Sequence, residues 1–274
     1  MKLDICIPTY RNLPSLRLVA WGIKRYLTYP QDVTILLYVQ DPSEFEQAGK
    51  AFTDIGLACK IVGTLTDLGD HGKPGTVGAV HWMDHLFRAA RTQWIIMTEQ
   101  DFFPLVEMDT FVERIAADGY LVGAPMDTMY YDNPNARGKE MYGRYGRLCG
   151  EPGFFHSSFM VINREWFAAR TKSPFSMPAN YKWWGQGVLG GEWYYGLRLH
   201  VADNSKLAFF RQLHSDYAYG ADIYFNKLLL GVHLYHSSDP DNRQNGELLE
   251  WRKSEEARFF EDYKHGMLKQ KINL

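Results

Sequence analysis

A chain of 274 residues with 46% hydrophobic content can build one large domain, or a domain with an appendage, around a sizeable core. A formal net charge of −2 excludes a general nucleic-acid binder, which needs a broad basic face. The three cysteines, Cys6, Cys59 and Cys149, are far apart and odd in number, which fits neither a disulfide framework nor a zinc pattern and implies a reducing compartment.

The first residues, MKLDICIPTYRN, lack the long apolar region of a signal peptide, and no run approaches the ~18 apolar residues of a membrane span. A cytoplasmic protein with at most peripheral membrane contact is expected. Leu3 to Ile7 reads as a strand stopped by Pro8. A helix follows from Pro14 or Ser15, with Leu16, Val19, Ala20, Ile23 and Leu27 at helical spacing. The apolar run Val33 to Val39 reads as a buried strand, after which Ser43 is placed to cap a second helix. Ala58 to Val62 is a third strand, ended by Gly63. This alternation predicts an α/β fold around a mostly parallel sheet, wound by right-handed crossovers.

The next loop, LTDLGDHGKPGTVGA, is rich in glycine but breaks the P-loop order at Gly72-Lys73-Pro74. It reads either as a diphosphate-facing loop carrying Lys73 or as a surface loop. Val77 to Ala90 is a helix, on which His81 and His85 read as ordinary helix residues rather than a metal pair. The strand Trp94 to Met97 then delivers Glu99 and Asp101 to its own end. In extended chain, residues two apart face the same side, so the two carboxylates converge. Ligands of open α/β sheets sit beyond such strand ends, and two hard oxygen donors suit Mg²⁺ or Mn²⁺. An acidic turn is the other reading.

Met108 to Ala117 is a helix, and Tyr120 to Gly123 a strand ended by Ala124-Pro125. Residues 126–152 are loop-like. Phe159 to Ile162 is a short strand, with a helix starting at Arg164 or Glu165. The stretch NYKWWGQGVLGGEWYYGLRLH sets Glu192 among Trp183, Trp184, Trp193, Tyr194 and Tyr195. Partial desolvation there raises a carboxyl pKa towards a general base's range, and a helix-start Glu is the alternative. Leu207 to Phe210 is strand-like, an aromatic run surrounds Tyr217 to Phe225, Gly231 to Tyr235 leads into His236, and Arg258 to Lys271 reads as a charged packing helix.

Four stretches, in order over roughly residues 1 to 240, resemble glycosyltransferases of the GT-A fold, nearest the family 2 type. They are ICIPTYRN, YVQDPS, the run from GDHGKPGTVGAV to WIIMTEQDFFP, and the pair SSFMVINREWF and GGEWYYGLRL. The resemblance implies one GT-A domain. Residues 1–105 would form its nucleotide-sugar half, 106–240 its acceptor-side half and 241–274 a helical extension. It implies that Pro8, Thr9, Tyr10 and Arg11 border the nucleotide and that Asp41 bonds its base. Gly72 and Lys73 would line the diphosphate. Glu99, Gln100 and Asp101 would stand for the Asp-x-Asp motif, with Glu99, Asp101 and His236 on Mn²⁺ or Mg²⁺, and Glu192 would be the base. The implied partners are a UDP- or GDP-sugar donor and a glycan or other hydroxyl acceptor, and the implied reaction is inverting transfer. Gln40 and Pro42 depart from the family pattern, as do Glu99 in place of Asp and Trp193 where many members carry an Asp base. A sugar nucleotidyltransferase is the enzyme alternative, although Thr9 to Leu13 lacks the glycines of its signature. A non-catalytic carbohydrate-binding protein is the other.

Overall fold

The computed structural model describes residues 1–9, 12–64, 78–126, 158–175, 197, 200–201, 203–217, 220–234 and 246–268. Its first half is a wound α/β unit. Strands β1 (Leu3–Thr9), β2 (Val33–Val39), β3 (Ala58–Gly63) and β4 (Trp94–Thr98) run parallel in the order β3-β2-β1-β4. Helices α1 (Leu13–Arg25), α2 (Phe45–Thr53) and α3 (Gly78–Ala89) make the crossovers. Parallel strands need such long returns, which is why apolar strands and amphipathic helices alternate in the sequence.

The second half extends the same sheet, mainly antiparallel. Strand β7 (Phe159–Asn163) pairs antiparallel with β4, and β6 (Val122–Met126) lies between β7 and β8 (Leu207–His214). Strands β9 (Gly220–Phe225), β10 (Leu228–Leu234) and β5 (Phe102–Pro104) complete a ten-stranded order ending β8-β9-β10-β5. Strand β5 therefore lies six places from β4 in the sheet yet follows it in the chain after three residues. So short a link spans at most about 14 Å. The sheet must curl until its far edge returns to the end of β4. The concave side of the curl is filled by rings: Phe102 stacks on Phe159 at 4.6 Å, and Phe111, on helix α4 (Met108–Ala117), meets Phe210 and Phe225 edge-on. Across the sheet, Cys6, Leu36, Met83, Phe87 and Phe175 form a second apolar layer.

Several sequence expectations are corrected. Strand β1 runs through Pro8 to Thr9. The Thr9 carbonyl accepts from Gln40 on the β2 side, so the missing Pro8 donor faces the β4 side, where the register ended at Cys6 and Met97. Strand β6 likewise continues through Pro125, beyond the point at Gly123 where its register with β7 ends. Ser43 does not cap α2, which follows Glu44 without a side-chain cap; instead Asp41 caps a short 3₁₀ turn, Pro42–Glu44, where its Oδ1 accepts from the Ser43 amide and hydroxyl. His85 holds the Val62 carbonyl at 2.8 Å, a structural tie in keeping with its reading as an ordinary helix residue; the His81 side chain lies outside the described residues. A short helix, α5 (Arg164–Ala168), is capped by Asn163.

The C-terminal helix, α6, spans Gly246–Lys264 and does not continue to Lys271. Gly266, at φ 68°, turns the chain out of it. Despite its charges the helix packs: Phe259 and Tyr263 are buried against Phe103, and the Tyr263 hydroxyl donates to the Pro104 carbonyl at 2.7 Å. Tyr263 fills the space beside Gly22 of α1 that a Cβ would need. Among the described residues, no helix is long and apolar enough to cross a membrane.

At Gly231, β10 passes close to β5. A Cβ there would fall 2.5 Å from the Phe103 carbonyl oxygen and against the Phe102 ring. A backbone atom cannot yield as a flexible side-chain tip can. Gly231→Ala should therefore destabilise the protein by about 1–3 kcal/mol in denaturant titration. An unchanged midpoint would contradict this packing.

Candidate metal centre

The three-residue hop from β4 to β5 is Glu99, Gln100 and Asp101. Its main chain is tied on several sides. The Glu99 amide donates to the Ser158 carbonyl, and the Phe102 amide closes a turn onto the Glu99 carbonyl, each at 3.3 Å. The Leu234 amide donates to the Asp101 carbonyl at 3.0 Å. The Ser15 hydroxyl reaches the Gln100 carbonyl at 3.1 Å. Thr98, the last residue of β4, donates its hydroxyl to the Ser158 carbonyl at 2.7 Å. The two acids do converge, but through a turn rather than along extended chain.

They converge on His233. Its Nε2 lies 3.1 Å from Glu99 Oε2 and 3.1 Å from Asp101 Oδ1. One donor atom from each of the three residues fits within 4.8 Å of the other two. Strand β10 supplies the imidazole because His233 is in register with Phe102, the residue after the turn. His233 and Asp101 are buried, and the Glu99 side chain keeps 23% of its surface, so the cluster opens towards solvent at Glu99.

Three buried acids elsewhere, Asp4, Asp84 and Asp109, are occupied structurally. Asp4 accepts from the amides of Arg91 and Thr92, Asp84 from that of Phe175, and Asp109 from those of Thr28 and Tyr29. Asp101 instead faces an imidazole and a second carboxylate, an arrangement suited to a cation. Two carboxylate oxygens and one imidazole nitrogen are intermediate in hardness, which fits Mn²⁺ better than a purely oxygen-seeking ion.

Without a cation, a proton does part of that work. Burial alone would lower the His233 pKa, but the Asp101 and Glu99 carboxylates outweigh it and raise the value to about 10. The raised value means that this ion pairing stabilises the metal-free protein fully below the ordinary histidine pKa of 6.5, and that the gain is lost as pH rises through about 10.

Pro8, Thr9 and Asp41 stand with Glu99 and Asp101 at the carboxyl end of the parallel strands. Thr9 is buried, and the Asp41 carboxylate is oriented by Ser43. The Gln100 side chain is buried in the turn. Tyr10, Arg11, Gly72, Lys73, Glu192 and His236 lie outside the described residues, as do Trp183, Trp184, Trp193, Tyr194 and Tyr195. His233 was absent from the sequence-based set, which named His236, a residue outside the described ones. A signal for it existed: it is the single ionisable residue in the apolar strand LLLGVHL, and a buried imidazole needs a partner.

No family model matches the sequence, and no curated protein matches it. Among solved structures the chain is similar to a mannosyltransferase from Pyrobaculum calidifontis in complex with GDP-Man and Mn²⁺. That likeness has 12% identity over 76% of this chain and 56% of the other, with a TM-score of 0.45. It is also similar to mouse xyloside xylosyltransferase 1, at 14% identity over 76% of this chain and 83% of the other, with a TM-score of 0.48. A third is glucosyl-3-phosphoglycerate synthase from Mycobacterium tuberculosis in complex with Mn²⁺, UDP-glucose and phosphoglyceric acid, at 11% identity over 77% and 69% of the two chains and a TM-score of 0.48. The chain thus spans little more than half the length of the first of these. At such identities and TM-scores the likeness is remote, and the function proposed below is carried by the chain's own residues.

Metal ligands must be deprotonated, so a cation has to displace the His233 proton. Mn²⁺ affinity should rise about tenfold per pH unit between pH 6.5 and 8.5, with close to one proton released per ion bound. Calorimetry in buffers of different ionisation enthalpy measures both. A pH-independent affinity would contradict the assignment of His233 as a ligand.

Proposed function

We propose that the protein is a glycosyltransferase, moving a sugar from a UDP- or GDP-sugar to an acceptor hydroxyl with inversion at the anomeric carbon. One observation carries this reading: Glu99, Asp101 and His233 converge at the carboxyl end of β4, within the stretch that resembles the metal motif of GT-A enzymes. In an open α/β sheet this is the end at which a nucleotide ligand binds. The donor occupies the half formed by residues 1–105, and the acceptor the half formed by 106–240. His233 belongs to the second half, so the ligand set draws on both.

Glu99, Asp101 and His233 would hold the divalent ion, which supplies Lewis-acid neutralisation of the departing diphosphate. The chain's own residues do the rest. Pro8, Thr9, Tyr10 and Arg11 border the nucleotide, and Asp41, oriented by Ser43, accepts from the base. Gly72 and Lys73 line the diphosphate, where the ammonium offsets its charge. Glu192 takes the proton from the acceptor hydroxyl. The hydroxyl oxygen then bonds to the anomeric carbon on the face opposite the diphosphate as the bond to the leaving oxygen breaks, through an oxocarbenium-like state. Burial of Asp101 and His233 lowers the local dielectric and strengthens each charge interaction.

A panel of UDP- and GDP-sugars with Mn²⁺, read by release of the nucleoside diphosphate, tests the proposal. Asp101→Ala should abolish Mn²⁺-dependent release. Glu192→Gln should lower kcat by about 10²–10⁴-fold and leave Mn²⁺ affinity unchanged. Absence of release with every donor would contradict the function.

A further inference from the structure

The acidic turn rests on the first turn of α1, and the contact is a side chain. Of the turn's three carbonyls, those of Glu99 and Asp101 accept from the main-chain amides of Phe102 and Leu234, whereas that of Gln100 accepts from Ser15 Oγ at 3.1 Å. Ser15 is fully buried and Gln100 nearly so. The helix itself has no need of that hydroxyl. The Ser15 amide is already satisfied by Asn12 Oδ1 at 3.2 Å, and the Leu16 amide by the Asn12 carbonyl at 3.0 Å. The buried neighbours Leu16, Val19 and Ala20 are apolar, and alanine is the better helix former. Burying a hydroxyl is costly unless it is bonded, so the bond to Gln100 is what offsets serine at this position.

We infer that Ser15 is a positioning residue for the cation: its hydrogen bond to the Gln100 carbonyl fixes the turn that aims Glu99 and Asp101 at a common point with His233. This rests on the cation site proposed above. Without the bond, the Gln100 carbonyl is left buried and lacking that donor. The peptide can then rotate, and the two flanking carboxylates move with it. Ligand geometry tolerates little such movement, and partners that orient ligands typically contribute 10–100-fold in metal affinity. The same bond couples the segment after β1, where the nucleotide is proposed to lie, to the metal turn.

The test is Mn²⁺ affinity of the full chain without nucleotide, measured by electron paramagnetic resonance, with a thermal melt of each variant. Ser15→Ala should weaken binding about 10–100-fold. Ser15→Cys is nearly isosteric and a weaker donor, so it should weaken binding in the same direction without opening a void. The control is Thr92→Ala. The Thr92 hydroxyl donates to the Trp94 carbonyl at 2.7 Å and accepts from the Asp4 amide at 3.0 Å, at the opposite end of β4. It should lower the melting temperature and leave Mn²⁺ affinity unchanged. Wild-type affinity in Ser15→Ala or Ser15→Cys, or equal weakening in Thr92→Ala, would overturn the role. If the wild-type protein binds no Mn²⁺ saturably, the cation site itself falls, and the role of Ser15 with it.

Discussion

The structure turns on two carboxylates placed next to each other at the closing seam of a curled sheet. Buried acids repel, and each loses hydration that only an opposite charge or good donors can replace. Asp101 is 3% exposed, and His233, which faces it and Glu99, is 2% exposed. That imidazole can reach them only because β10 lies beside β5, which in turn requires the ten strands to curl back on β4. The electrostatics of the turn and the shape of the sheet are therefore one constraint. A flatter sheet would strand the acids, and a sheet without the acids would have no use for His233 in an apolar strand.

The packing supports that closure from both sides. Rings from β5, β7, β8, β9 and α4 fill the concave face, where Phe102 and Phe159 stack and Phe210 meets Phe225 at 5.5 Å. On the other side of β5, Phe103 meets Phe259 and Tyr263 of α6. Much of the high aromatic content thus works as structure. Strand β5 is three residues long and would not pair stably alone; rings on both faces and the Tyr263 hydrogen bond to Pro104 hold it in place.

Much of the first half was legible from residues alone. The continuous apolar run Val33–Val39 forms the strand expected, and beyond the first half the amphipathic stretch Met108–Ala117 forms the helix expected, because local pattern and tertiary burial agree there. The prolines misled. Pro8 and Pro125 read as strand stops, since a sequence does not show that a neighbouring strand has already ended beside them. Pairing among β6 to β10 was also hidden, because it joins short strands far apart in sequence. The acids Glu99 and Asp101 were legible as a motif. Their third partner was not, because the link of His233 to Glu99 crosses 134 residues and depends on the curl.

Anomalous diffraction from crystals soaked in Mn²⁺, recorded near the manganese absorption edge, tests the central claim most directly. The account predicts one strong peak bonded to Glu99, Asp101 and His233 Nε2, at roughly 2.0–2.3 Å. A well-ordered turn with no peak there, or a peak ligated without His233, would contradict it.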